Sequence, residues 1–526
     1  MGRRVRLIPD SRRGALWRFA AAVVIVITCA ATTTAIAGLL QIKQIVDDLN
    51  LTPALKHVPV VLPPAGAPQT ILVIGSDHRA GTSYASANTD TMMLIRLNAS
   101  SSTINLLSVP RDLEVRLPTG HGQTGSFKLN AAYSFGGVRL LINTLKQQVF
   151  PGIEINHVLD VNFGAFVGLV NAIGCVYTDV DHRYYNDTAL TNYSSIDVQP
   201  GYQKLCGTEA LQFVRFRHTD SDIVRNARQQ DFIRWAKDQY GINRLLSNRD
   251  RLLRIFGANV QTDHSLHTSD GLINLFDLVL NSDGHEIKQI EFPAEFSACN
   301  SGATLGSAAA QTPCYVTANA GAEQRAFARF MTPTAPTRAG SSSAATATAA
   351  GHKRTKTAVS DAGLVADVGD GRSQALALSR VPFPVYYPKL IYGGVYTAYC
   401  SSVTGNCDDP QEPASEYTGD YPRAYEIHGQ HGGVFPSYVM TVVINSALGQ
   451  FYTVQGTTWQ HPPILNGITG TRTINGKVLD LYQDGGHLGL VAWRTPTGVY
   501  WISNTLTDLM NNSQMIALAG SLTRLP

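Results

Sequence analysis

The chain has 526 residues, too many for one ordinary domain, and its apolar fraction of 44% excludes wholesale disorder. Only 15% of residues are charged, and the formal net charge of +3 is more than accounted for by Arg3, Arg4, Arg6, Arg12, Arg13 and Arg18 against Asp10. The rest of the chain is therefore slightly acidic, which excludes a bulk basic surface and, with it, nucleic acid as the expected partner.

From Phe19 to Leu40 the chain runs FAAAVVIVITCAATTTAIAGLL without a charge. As a helix this run would rise about 33 Å, enough to cross a bilayer core. The Arg cluster before it, with Asp47 and Asp48 after it, predicts a cytoplasmic tail over 1–18 and a transmembrane helix over 19–40. The expected location is the cell membrane, single-pass, with the bulk outside the cytoplasm. A cleaved signal peptide ending near Ala35-Ile36-Ala37 is the alternative. Residues 41–69 read as a juxtamembrane spacer, Pro-rich and extended in TPALKHVPVVLPPAGAPQT.

Structure is expected from Thr70. TILVIG, TMMLIRLN and STINLLSV are short β-branched runs that predict strands. GGVRLLINTLKQQVF has helical spacing, HVLDVNF returns to a strand, and GAFVGLVNAIG is helical again. A long amphipathic helix follows from about Asn226. Such alternation predicts an α/β domain over 70–300, a layered central sheet flanked by helices. Residues 301–374 read as a linker, because 332–370 has almost no large apolar residue to offset its ordering entropy. A second, smaller α+β domain is expected over 375–526. There YVMTVVI, VLDLYQ, LGLVAWR and VYWIS alternate with Asn475-Gly476, Asp484-Gly485-Gly486 and Pro496-Thr497-Gly498 turns. NNSQMIALAGSL, opened by a capping Asn or Ser, predicts a closing helix.

Outside the apolar run there are six cysteines: Cys175, Cys206, Cys299, Cys314, Cys400 and Cys407. An even count in an exported chain suggests disulfides, although six allow 15 connectivities. Pairing of sequence neighbours gives the simplest set, and isolated buried thiols are the alternative. None has the CxxC spacing of a zinc site.

Four stretches concentrate polar residues that could carry chemistry. GSDHRAG places Asp77 and Arg79 after one strand, ANTDTMM places Asp90 before another, and SVPRD places Arg111 and Asp112 after a third. VRFRHTDSDIVRNARQQDF adds Arg215, Arg217, Asp222, Arg225, Arg228 and Gln229. Strand ends of an α/β sheet are where ligands usually bind. Carboxylates beside several guanidiniums suit a pyrophosphate with a divalent cation, since Arg offers paired donors and carboxylates hold hard Mg²⁺. Each stretch also has a plain reading, as turn residues, caps or a solvated helix face. No GxxxxGK[ST] loop accompanies them, so an ATP-type phosphate loop is not expected.

In order, LVIGSDHRAG, NTDTMMLIRLN, LLSVPRDLEVRLP, KLNAAYSFGGVRLLINTL, VLDVNFGAFVGLVNAIGCV and RFRHTDSDIVRNARQQDFI resemble the LytR–CpsA–Psr family over about residues 70–240. The resemblance implies a membrane-anchored enzyme that transfers a glycopolymer from polyprenyl pyrophosphate to a cell-wall acceptor such as peptidoglycan. It implies Asp77 and Asp90 as ligands of Mg²⁺ or Mn²⁺ and Arg111 at the reacting centre. Arg79, Arg215, Arg217, Arg225, Arg228 and Gln229 would bind the pyrophosphate, with Asp90 or Asp222 as base. The chain departs from the family at Asn88, where many members carry Arg. It departs again at Gly174-Cys175-Val176 and Leu205-Cys206-Gly207, where Gly is common in the first and Asp in the second. The two changes to Cys together favour a Cys175–Cys206 bridge. Cys299–Cys314 and Cys400–Cys407 complete the neighbour set.

Phe163, Phe166, Val167 and Val170 read either as an apolar channel wall or as ordinary core. In the second domain, Trp493, Tyr500 and Trp501 read as core or as sugar-stacking rings, and its glycine-rich His segments read as turns. An accessory wall- or partner-binding role is the expectation for that domain. A non-catalytic envelope-polymer-binding or regulatory surface protein is the alternative for the whole chain, kept open by Asn88.

Overall fold

The computed structural model describes residues 54–77, 87–120, 122–188, 195–216, 222–240, 259–282, 284–296, 315–334, 363–401, 421–430, 432–484 and 486–526, with the single positions 47, 251, 252, 255 and 407. The apolar run 19–40, Arg79, Arg217, Cys299, Cys314 and most of the expected linker lie outside the described residues. Among the described residues no helix is long and apolar enough to cross a membrane.

The three β-branched runs form β1 (Gln69–Ser76), β2 (Thr89–Leu97) and β3 (Thr103–Ser108). A hairpin of β4 (Glu114–Gly120) and β5 (Gln123–Lys128) follows, then a helix Leu129–Thr144 broken at Gly136 and Gly137. The chain returns as β6 (His157–Asn162), then a helix Phe163–Ile173. Two short strand pairs come next: β7 (Val176–Val180), β8 (Tyr184–Asn186), β9 (Ile196–Val198) and β10 (Gly201–Leu205), in which β7 pairs β10 and β8 pairs β9. Helices Gly207–Arg215 and Asp222–Gln239 precede β11 (Val260–Thr262), a helix Ser269–Asn281 and β12 (Glu286–Ile290).

Six of these strands make one sheet in the order β11-β6-β1-β2-β3-β12. It is mixed: β1 is parallel to β6 and β3 to β12, while the other three pairings are antiparallel. Alternation along β1 sends Leu72 and Ile74 to one face and Ile71 and Val73 to the other. The first face is sealed by the helix Leu129–Thr144, whose Leu141 and Ile142 are fully buried with Leu94 and Leu107. On the second face Val73, Ile95, Ile104 and Leu159 are only partly buried among the described residues, under Leu275 and Leu278 of the helix Ser269–Asn281.

The first unit continues past 300. Strand Val316–Ala318 pairs with Ala294–Phe296, and the helix Ala320–Met331 buries Ala326 and Phe330 in the sealed core. The Asn105 amide donates to the Phe330 carbonyl (2.9 Å), and Ser102 N–H to that of Thr334 (2.9 Å). Within the expected linker, residues 315–334 are thus structured. The linker is also structured at its end, since a strand Leu364–Ala366 and a helix Val368–Ala377 precede 378. Small residues flank both elements and hide them from a composition reading.

The C-terminal unit is richer in strand than the expected α+β layer. Its main sheet is antiparallel and eight-stranded, and Val434–Asn445, Gln450–Thr457, Gly498–Ser503 and His487–Thr495 form its middle in that order. Asn475 (φ 49°) and Gly476 (φ 78°) make the tight turn that joins Gly470–Ile474 to Lys477–Asp484. The closing helix Asn512–Ser521 carries a full capping box, Asn511 and Gln514 each bonding the other's backbone. Trp493, Tyr500 and Trp501 are all buried, so they are core residues.

This unit is seated on the β7–β10 ladder. Tyr177, Tyr202, Leu490, Val499 and Trp501 share one buried cluster across the junction. Tyr177 Oη donates to the His428 carbonyl (2.6 Å), and Tyr202 N–H donates to Tyr425 Oη (2.8 Å). Gly201 sits there at φ 114°, where a Cβ would lie 2.6 Å from the Tyr425 ring. Only glycine meets both demands. Cys175–Cys206 closes the base of the same ladder, and Cys400–Cys407 forms in the second unit.

Candidate active site

Four strand and helix ends meet beyond the carboxyl end of β1 and β3. The ladder between β1 and β2 shifts register there: Gly75 faces Thr91 and Ser76 faces Thr89, which leaves Asp90 as the extra residue of a bulge. A bulge re-aims one side chain out of the strand's alternation. Gly75 permits it, because a Cβ at that position would stand 2.9 Å from the Thr91 Cβ.

Arg111 is pinned on both sides of its backbone. Its N–H donates to Asp222 Oδ2 (3.0 Å), and its carbonyl accepts from Asn130 N–H (3.0 Å) at the start of the helix Leu129–Thr144. The Arg111 guanidinium pairs through Nη1 with Asp90 Oδ1. The other Asp90 oxygen faces Arg215 Nη2 at 3.4 Å. The Arg215 guanidinium sits over the Phe163 ring, 3.8 Å from its centroid, which holds it at the mouth of the site. Asp90, Arg111 and Arg215 are partly exposed, with side chains 19%, 23% and 35% accessible.

Beneath them lies a buried layer. Asp222 and Arg225 pair with each other, both 2% exposed, and Arg111 Nε stands 3.8 Å from Asp222 Oδ1. Burial pushes the Arg225 guanidinium below its ordinary value, while the adjoining Asp222 holds it up. Asp112 flanks the cluster, 3.8 Å from Arg111 Nε and 3.1 Å from Lys128 Nζ. Lys128 is a member that sequence reasoning missed, although it opens the quoted KLNAAYSF block.

Asp77 follows β1 directly and pairs with Asn88, two residues before Asp90. Its carboxylate receives the Asn88 backbone N–H (2.6 Å) and the Asn88 side-chain amide (3.3 Å). The Asn that replaces the family's Arg is therefore bound to the first expected metal ligand. Among the described residues no group of three or more His, Cys, Asp or Glu forms a metal cage. Two carboxylates suit a hard dication that keeps phosphate and water oxygens for the rest of its shell.

Arg228 and Gln229 are placed away from this cluster. The Arg228 guanidinium is fully buried, 4.4 Å from the Tyr184 ring centroid, and donates to the Phe213 (3.1 Å) and Phe216 (2.9 Å) carbonyls. Gln229 Nε2 donates to the Val214 carbonyl (3.0 Å). Both satisfy the orphan carbonyls at the end of the helix Gly207–Arg215. These contacts lie at the end of the helix that carries Arg215, whereas the Arg111 and Arg215 guanidiniums face Asp90. The Cys175–Cys206 bridge acts on the same helix, since Cys206 is its N-cap residue.

The LytR_cpsA_psr family matches residues 34–315, more than half of the chain, and the chain belongs to that family. It is 30% identical over 206 residues to TagT of Bacillus subtilis, named a polyisoprenyl-teichoic acid–peptidoglycan teichoic acid transferase, covering 39% of this chain and 62% of that one. TagU of Halalkalibacterium halodurans, of the same named activity, is 29% identical over 237 residues, 44% of this chain and 72% of its own. The chain spans less than two thirds of TagT's length. A crystal structure of a Streptococcus agalactiae protein aligns with 26% identity and a TM-score of 0.42, covering 50% of this chain and 86% of that one.

Proposed function

We propose that this chain transfers a phosphosaccharide from a polyprenyl pyrophosphate carrier to a hydroxyl of a cell-wall acceptor such as peptidoglycan. The observation that carries the reading is the layered charge cluster. Arg111 and Arg215 face outward over Asp90, and the buried Asp222–Arg225 pair holds Arg111 from below. Phosphoryl transfer asks a protein mainly to position groups and neutralise charge. The distant relatives' named activity points the same way.

In this reading Arg111 and Arg215 turn from Asp90 to the pyrophosphate oxygens when the donor binds. The acceptor oxygen attacks the sugar-linked phosphorus. The bond from that phosphorus to the bridging oxygen breaks, and polyprenyl phosphate leaves with Arg111 stabilising its new charge. The hydroxyl proton passes to a carboxylate. Asp222 is buried with its oxygens held by Arg225 and the Arg111 N–H, so Asp90, freed from the guanidiniums, is the one within reach of an acceptor. Asp77 and Asp90 would hold a Mg²⁺, whose chemistry is to offset the phosphate charge. The half-covered sheet face around Val73, Ile95, Ile104 and Leu159 offers apolar surface for the lipid chain. Residues 19–40 would anchor the chain with the site outside the cytoplasm, and the C-terminal unit would serve as an accessory domain.

The Asn88–Asp77 contact favours a second reading, binding of the same lipid-linked polymer without turnover. Full-length protein with Mg²⁺, a lipid-pyrophosphate-linked saccharide and a peptidoglycan oligomer distinguishes the two. Mass spectrometry is expected to find phosphosaccharide on the acceptor, lost in Arg111→Ala and Asp90→Ala. Saturable donor binding with no transfer, for a cognate donor and acceptor, would establish the second reading instead.

A further inference from the structure

The helix Ser269–Asn281 covers the second face of the sheet, and its outer surface also carries large apolar residues. Leu275 and Leu278 turn inward and pack with Ile71 and Leu97. At 3.6 residues per turn, Ile273 and Leu280 lie within about 20° of each other and nearly opposite Leu278. Both are exposed. Val279, also exposed, stands at one edge of that outer face. Asp270 and Asp277 are the only charges in the helix, and they fall at the other edge. A surface helix of a globular domain normally turns its polar residues outward.

The spacer reaches the molecule beside this helix. Leu55 N–H donates to the Thr262 carbonyl (2.8 Å), and Leu55 bridges in parallel to Asp263, six residues before the helix begins. Farther along, Gly66 N–H donates to the Asn274 side-chain carbonyl (3.3 Å), in the middle of the helix. Between those two points Val61 and Leu62 are exposed. Leu55 comes 15 residues after Leu40, the end of the apolar run. That length reaches about 22 Å as a helix and about 50 Å fully extended. Asp47, the described position within it, is helical. An anchor at 19–40 therefore keeps this side of the first unit close to the bilayer.

We infer that the helix Ser269–Asn281 docks on the bilayer surface, lying flat in the interface with Ile273 and Leu280 against the acyl chains. The inference rests on the reading of residues 19–40 as an anchor. Tethering raises the local concentration of bilayer around the helix, so a small apolar face suffices. Both charges of the helix are acidic, so apolar contact holds it there and attraction to anionic lipid does not. In this posture Val73, Ile95 and Leu159 of the sheet lie directly beneath the docked helix. A polyprenyl chain would then pass from the bilayer to that face without crossing water.

Photo-cross-linking of the full-length protein in phosphatidylcholine nanodiscs tests this. Benzoylphenylalanine takes the place, one position at a time, of Ile273, Leu280, Ile27 in the expected anchor, and Val478, an exposed residue of the C-terminal unit. Mass spectrometry is expected to find lipid adducts at 273, 280 and 27, and none at 478. With the probe in place of Val279, the double variant Ile273→Gln, Leu280→Gln should lower the lipid adduct at least about tenfold, since two buried aliphatic side chains are worth more than that factor. All three side chains are exposed, so the melting temperature should stay that of the parent. Adducts at 27 without adducts at 273 and 280 would overturn the docking and leave the anchor in place. Lipid adducts as abundant at 478 as at 280, or an unaffected double variant, would also overturn it. Cross-links from 273 and 280 to a second copy, or to another segment of this chain, would assign the helix face to that partner instead. Absence of adducts at 27 as well would overturn the anchor with the docking. None of these readouts needs turnover, so the transfer reading stands or falls separately.

Discussion

The Arg111 cluster and the Asp179 junction are both built around aspartates, and they satisfy them in opposite ways. At the cluster, Asp90 faces two guanidiniums and remains partly open to solvent. At the junction, Asp179 is buried and held by neutral donors, the Gln455 amide and the Ser503 hydroxyl, both from the other unit. Mobile charge beside open charge can be redirected to a ligand. A carboxylate closed in by neutral donors cannot, and it serves to register two surfaces. Changes at the first place should therefore cost activity, and changes at the second should cost stability.

The sharpest separation is expected from Arg111→Ala. Loss of one preorganised charge-stabilising group lowers turnover by about 10²–10³-fold. Since Arg111 is partly exposed, the melting temperature should stay close to that of the parent, as calorimetry would read. A large drop in melting temperature would merge the two regions that the comparison separates.

Next in size is the Cys175–Cys206 bridge, which spans 31 residues and joins the junction ladder to the helix bearing Arg215. Replacing both by Ser is expected to cost about 3 kcal/mol in denaturant unfolding on the chain-entropy account. A loss of transfer without that loss of stability would place the bridge's effect at the site alone.

Burial pushes the Asp179 carboxyl up to about 6, opposed by the Ser503 and Gln455 hydrogen bonds. In the unfolded chain it titrates near its ordinary value, so between about pH 4 and 6 the folded state binds more protons than the unfolded one. Stability from this group is full below that window and falls as pH rises through it, by roughly 3 kcal/mol. Asp179→Asn should flatten the fall, measured by urea melts at pH 5 and 7. An unchanged slope would move the titration elsewhere. Smallest is Gly201→Ala, which forces a side chain to φ 114° against Tyr425. It should cost about 1–2 kcal/mol, with activity retained.

Much of this was legible along the chain. β-branched runs marked β1 to β3, Asn475-Gly476 marked a hairpin, and Asn511 marked the last helix. SVPRD and NTDTMM located Arg111 and Asp90, because strand-end charges are unusual in so sparsely charged a sequence. Arg225 and Arg228 could not be told apart, since both sit in one Arg-rich helix. Three residues of helical rotation turn one to Asp222 and the other to the Phe213 and Phe216 carbonyls. Nor could Asp179 be paired with partners 276 and 324 residues away. Neutral donors leave no charge pattern to read. The helix Ala320–Met331 escaped because Gly, Ala and Thr surround its few large apolar residues.

The most direct test of the central claim follows both products of a single turnover. Full-length protein in excess over a lipid-pyrophosphate-linked saccharide, with Mg²⁺ and a peptidoglycan oligomer, would be quenched at intervals and analysed by phosphorus NMR. Transfer at the Arg111 cluster predicts one polyprenyl phosphate released for each phosphodiester formed on the acceptor, with neither appearing in Arg111→Ala. Donor that stays intact while bound, or polyprenyl phosphate released without the phosphodiester, would contradict it.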